Sequence, residues 1–196
     1  MSGISRLLSL VIFLLSLSVI TFALPTPTSS YSEETDSLFV LNTKPNDVLG
    51  LLIDLEGKIK EPIRLVAEAQ SYSGIRTQVE VVVAHLEACN TAVLAASKHG
   101  EMGESTKAEI AGKAAAIISM IVRTCLEVSL RLGWFLVFGV FSKLDVCLKM
   151  LITNLGIIYG GGLVTLIAKT VASTCTQLLI SLNFNQSTTA LSITSL

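Results

Sequence analysis

The chain has 196 residues, a length that one core can organise, with 51% hydrophobic and only 15% charged residues and a formal net charge of −1. With no basic run and few aromatic residues, it lacks the cationic footprint and stacking surface of a nucleic-acid binder. Charge is also unevenly placed: in residues 133–196 the charged side chains are Lys143, Asp145, Lys149 and Lys169 alone. That portion is therefore expected to be shielded from bulk water, by its own neighbours or by a foreign apolar phase.

Arg6 precedes an apolar run over residues 7–22, and Thr21-Phe22-Ala23 offers a cleavage site, so residues 1–23 read as a secretory signal peptide. An uncleaved anchor is the competing reading, because the run approaches the length of a membrane span. Pro25, Pro27 and the Ser, Thr and acidic residues around them make 24–45 a solvated leader with too little apolar area to fold. A helical domain is expected over 46–183, followed by a flexible tail over 184–196.

Asn46 or Asp47 is placed to cap the first helix, whose apolar face runs Val48, Leu52, Leu55, Ile59, Ile63 and Val66. Pro62 predicts a kink or restart. After Ser71-Tyr72-Ser73-Gly74 comes the most regular stripe, Ile75, Val79, Val82, Leu86, Cys89, Val93 and Ala96, as in one face of an antiparallel bundle helix. Gly100 is a plausible stop, and Thr106 with Glu109 has the spacing of a capping box for the next helix, with Ile110, Ala114, Ile117, Ile121, Cys125, Val128 and Leu132 on its apolar side. Arg123, Glu127 and Arg131 read as a weak, solvated ladder.

Residues 133–141 carry no strongly polar side chain, and the first expectation is a central helix buried on all sides and wrapped by the three before it. Ser142 and Asp145 resemble a fresh helix start, the 160–162 glycine triplet a turn, and 163–182 a last helix. The fold class is thus all-α, a small four- or five-helix bundle ending in an apolar C-terminal helical hairpin. The competing expectation is contact with lipid. The 19 residues 150–168 are uncharged, bounded by Lys149 and Lys169, and long enough for a single span, while Trp134, Phe135, Phe138 and Phe141 would group for insertion at an interface.

Four cysteines, Cys89, Cys125, Cys147 and Cys175, are expected to form two disulfides in an oxidising compartment, with buried free thiols as the alternative. Cys147 and Cys175 are equidistant from Gly161, which favours their pairing and leaves Cys89 with Cys125; Cys125–Cys147 with Cys89–Cys175 stays open. Asn185-Gln186-Ser187 is a glycosylation sequon in the expected tail. No nucleophile elbow, P-loop, dinucleotide fingerprint or zinc spacing occurs, and His85 reads as a packing residue, so neither an enzyme, a metal site nor a cofactor is expected.

The signal ending in Phe22-Ala23, the Leu24-Pro25-Thr26-Pro27-Thr28 start and the low-charge Leu/Ser/Thr-rich helices resemble small secreted proteins of filamentous, basidiomycete-type fungi. The resemblance is compositional and transfers no functional residue; the cysteine count excludes hydrophobins. It implies residence outside the cell or in its envelope. The expected role is a non-enzymatic structural or interaction protein presenting apolar helical surface to a wall, membrane or hydrophobic interface, with self-association left open. A membrane protein with one span over 150–168 and a small-lipid carrier are the alternatives.

Overall fold

A computed structural model describes residues 48–96 and 103–193. The expected signal peptide, leader, first-helix caps and Gly100 stop lie outside the described residues. The described chain is all α-helix: α1 Val48–Glu68, α2 Tyr72–Ala95, α3 Glu104–Leu132, α4 Trp134–Tyr159, α5 Gly161–Thr174, α6 Thr176–Ser181 and α7 Asn185–Ala190. Five are long, and two are short and C-terminal.

The apolar stripes become the core. Every named position on α1 and α2 is buried, as are those on α3 except the half-buried Leu132. Ser71 caps α2, its Oγ accepting from the Gly74 N–H at 3.2 Å. Pro62 neither ends nor restarts α1, which continues through it to Glu68 with the ring buried. A proline removes one helical hydrogen bond, and here packing of the surrounding stripe outweighs that loss. The expected capping box does not form: α3 starts at Glu104, with Gly103 at its N-cap and no side-chain cap, so Thr106 already lies inside the first turn.

Cross-helix bonds fix the arrangement. Lys113 of α3 pairs with Glu56 of α1 at 2.6 Å, and Arg131 donates to the Ala67 and Ala69 carbonyls at 2.5 and 2.9 Å, so the two helices run parallel. Arg131 thereby satisfies carbonyls at the end of α1, where a cation is also favoured by the helix dipole. It is a tertiary cap, and Glu127 forms no ion pair with Arg123 or Arg131 among the described residues. In the same way Glu80 with Lys143, and Asn90 with Cys147 and Asn154, set α2 parallel to α4. The four helices form a ring in the order α1, α2, α4, α3, and α5 packs over the α3–α4 seam.

Two glycines make the corners. Gly133 (φ 90°) joins α3 to α4, and Gly160 (φ 80°) joins α4 to α5, each in a conformation that a side chain disfavours. The glycine triplet is thus the predicted break, and α4 with α5 is the predicted C-terminal hairpin. Residues 150–168 are not one helix, because Gly160 divides them between α4 and α5. No helix among the described residues is long and apolar enough to cross a membrane.

Two expectations for this half are overturned. The start of α4 is not enclosed on all sides, since of residues 133–141 Val137, Val140 and Phe141 alone are buried, while α3 buries two adjacent stripes, one through Ile110, Ala114 and Ile117 and the other through Ala111, Ala115, Ile118 and Val122. The 133–141 segment is the start of the single helix α4 rather than a separate buried one, and Ser142 starts nothing: its Oγ donates back to the Gly139 carbonyl at 2.9 Å. The C-terminal segment is also docked rather than flexible. Leu182, Phe184, Ser187 and Leu191 are buried, and the last long helix is interrupted at Cys175 (φ −151°) to turn the chain toward them.

Candidate functional site

The first candidate is the outward face of α4. Its inward side presents Val137, Val140, Phe141, Leu144, Leu148, Leu151 and Leu155 to the ring and to α5. At helical spacing of three and four, the opposite side carries Phe135, Gly139, Ser142, Val146, Met150, Thr153 and Ile157, all exposed. From Phe135 to Ile157 this face is about 33 Å long, at about 1.5 Å per residue. Phe138, Lys143 and Lys149 border it, and the only carboxylate on α4, Asp145, is turned inward at 5% exposure. A helix face of this length with apolar centre, lysine edges and no acid has the make-up of an interfacial helix.

The face begins at the Gly133 corner, where a single residue separates two helices and no further element among the described residues covers the turn. Leu130 (78% exposed), Phe135 (94%) and Leu136 (61%) project there together. Trp134 is half-buried and meets Phe138 edge to face, with ring centroids 5.2 Å apart. Three of the four expected surface aromatics therefore lie at the corner. Phe141 does not: it is fully buried, because six residues of helix after Phe135 bring its side chain round to the core. Leu130, Leu136, Val146, Met150 and Ile157 belong to the same surface but were not legible as such, since only tertiary packing decides which side of an apolar helix is covered.

The second candidate is a cleft of about 230 Å³ between α4 and the docked C-terminal segment. Trp134, Phe138 and Phe141 line it from α4, with Ser142, Asp145 and Val146; Leu182, Asn183, Phe184, Asn185 and Gln186 line it from the other side. Asp145 holds the two walls together. Its carboxylate accepts from the backbone N–H of Gln186 at 2.9 Å and of Ser187 at 2.8 Å, while Ser187 Oγ donates to the Asp145 carbonyl at 3.2 Å. Asn183 turns the chain with a positive φ of 56°, a conformation asparagine tolerates better than most residues.

This changes the setting of the sequon. Asn185 is exposed and its Nδ2 donates to Asn183 Oδ1 at 2.9 Å, but Ser187 is wholly buried. The tripeptide is the docked first turn of α7 rather than part of an open tail.

The four cysteines are buried free thiols, so the expected disulfides are absent. Cys147 lies on the α2 side of α4, its carbonyl accepting from Asn90, whereas Cys175 Sγ accepts from Ser119 of α3 at 3.4 Å. Cys147 and Cys175 thus face different helices, α2 and α3, although they are equidistant in sequence from Gly161. Desolvation pushes the thiols of Cys89 and Cys147 up to about 11, and raises that of the fully enclosed Cys125 further. Unfolded thiols ionise near their ordinary value of about 8.5, so unfolding releases protons above that pH. The stability contributed by neutral burial is present below about pH 8.5 and is lost as pH rises toward about 11. Chemical denaturation midpoints between pH 7 and 10.5 should fall with pH, and a Cys89→Ala, Cys147→Ala double variant should flatten the slope; an unchanged slope refutes this source.

Among the described residues no cluster of histidine, cysteine or carboxylate side chains could hold a metal ion. His85 is half-buried on α2. No family model matches the chain, and no curated protein or solved structure matches it either.

Proposed function

We propose that this chain is a non-enzymatic interaction protein that lies on a lipid surface through the outer face of α4 and the Gly133 corner. The observation that carries the reading is Phe135, 94% exposed at the head of an acid-free helix face that continues through Val146, Met150 and Ile157. Gly139, Ser142 and Thr153, all small, are interspersed along it, and a soluble domain rarely aligns exposed apolar residues along one helix face without a use for them. Lipid is favoured over a protein groove as the occupant because Lys143 and Lys149 edge the strip on its two sides; each makes one polar contact, to Glu80 and to Gln186, and an ammonium has further donors to offer a headgroup while its stem lies along the apolar phase. The half-buried Trp134 at the corner suits the same boundary.

Export and residence at the cell exterior or envelope complete the proposal. They rest on Arg6, the 7–22 apolar run and the resemblance to small secreted fungal proteins.

Trp134 is the one tryptophan in the chain, so its emission reports the corner directly. Vesicles of phosphatidylcholine with a minority of phosphatidylserine should shift that emission to the blue and carry the protein upward in a flotation gradient. Emission unchanged at saturating lipid, with all protein at the bottom of the gradient, would reject the proposal.

A further inference from the structure

The cleft beside α4 has a chemistry that the apolar face does not explain. We propose that it binds a single neutral pyranose ring, presented either by a soluble glycan or by a glycolipid headgroup.

The size comes first. At about 230 Å³ the cleft lies below the range of roughly 300–1,000 Å³ that drug-sized ligands occupy, and suits one six-membered ring with its substituents. The two walls then differ in kind. Trp134 and Phe138, edge to face at 5.2 Å, supply aromatic surface to the α4 wall, with Phe141 packed beneath them, and a pyranose has a C–H face that lies against such rings. Asn183, Asn185 and Gln186 line the opposite wall, and the carboxamide that each carries offers donors and an acceptor to hydroxyl groups.

The internal bonds leave part of that capacity open. Asn183 Oδ1 is taken by Asn185 Nδ2, and Gln186 Oε1 by Lys149 Nζ at 2.8 Å, so the Asn183 and Gln186 amide nitrogens remain as donors. Ser142 Oγ spends its proton on the Gly139 carbonyl and remains an acceptor, as does Asn185 Oδ1. Donors and acceptors in the same cleft match the dual character of sugar hydroxyls.

Charge favours a neutral ligand. The Asp145 carboxylate already holds two backbone N–H groups, and the Lys149 ammonium on Gln186 offsets its charge, so the cleft carries no unopposed charge to attract an ion. A wholly apolar ligand would strip water from the three carboxamides without replacing its hydrogen bonds. The inference does not depend on the lipid-contact reading, and the two can fail separately.

The test is run first without lipid. Methyl glycosides of glucose, mannose, galactose and N-acetylglucosamine are titrated into the full chain while Trp134 emission and the amide signals of residues 183–187 are followed. At least one should give a saturable change, half complete at about 1 mM to tens of mM, as expected for a single ring held by a few hydrogen bonds. Gln186→Ala and Asn183→Gly should each weaken it about tenfold or more; glycine accepts the positive φ of Asn183, so the second variant removes the amide and keeps the turn. Circular dichroism identical to that of the parent shows that both variants are folded. Tighter retention on vesicles carrying glucosylceramide than on vesicles lacking it identifies the glycolipid source, and equal retention with a positive soluble titration identifies the glycan. No saturable change with any of the four glycosides, or full binding by both variants, overturns the proposal.

Discussion

Phe135→Ala and Phe141→Ala should have opposite effects although they make the same chemical change six residues apart on one helix. Phe141 is wholly buried against the core, and its truncation should cost about 3–5 kcal/mol through lost transfer energy and the cavity left behind. Phe135 stands 94% exposed, so its truncation should leave the unfolding midpoint within experimental error. Burying a phenylalanine side chain in an apolar phase is worth about 1.5–3 kcal/mol, so Phe135→Ala should weaken vesicle partition by roughly 10- to 100-fold. Urea denaturation and vesicle flotation of the two variants provide the comparison. A destabilised Phe135→Ala would mean that the corner is covered in the free protein, and an unaltered partition would remove the central residue of the lipid-contact reading.

The second large effect is expected at Asp145. Its carboxylate receives the N–H groups of Gln186 and Ser187, and Ser187 is fully enclosed. Asp145→Ala strands those donors, and a buried donor left without an acceptor costs about 1–3 kcal/mol. The damage should be local before it is global: Phe184 and Leu191 lose their mooring, while the α1–α4 ring keeps its own core. Amide exchange at Gln186 and Ser187 should accelerate by one or two orders of magnitude with α2 and α3 protected as before. Asp145→Asn, which keeps one acceptor oxygen, should fall between. If exchange at Ser187 is unaffected by Asp145→Ala, the C-terminal segment is held by its apolar side chains and the carboxylate is incidental.

The same contrast shows where sequence reasoning reaches its limit. The stripe from Ile75 to Ala96 names a helix and its buried face together, because polar residues on the other side leave one way to bury it. On α4 the apolar residues go all the way round, so periodicity cannot say whether Phe135 or Phe141 faces the core. Arg131 gave no sign of its role, since the carbonyls it caps belong to a helix more than 60 residues earlier. Asp145 looked like a start signal for its own helix and instead serves α7. In each case a polar side chain found a partner far along the chain, and local patterns carry no record of such partners. The cysteines failed for a related reason: separation in sequence fixes height along a hairpin, while pairing also needs the rotation of each helix about its axis.

The sequence alone determined the all-helical class, the turn at the glycine triplet and the cores of the first three helices, because these follow from side-chain periodicity and backbone freedom over a few residues. Tertiary structure decided that the start of α4 is buried on one side alone, that the last residues dock as α7, and that the thiols stay apart. It also decided which side of α4 the described residues leave bare, since burial is a property of neighbours and those neighbours come from distant parts of the chain.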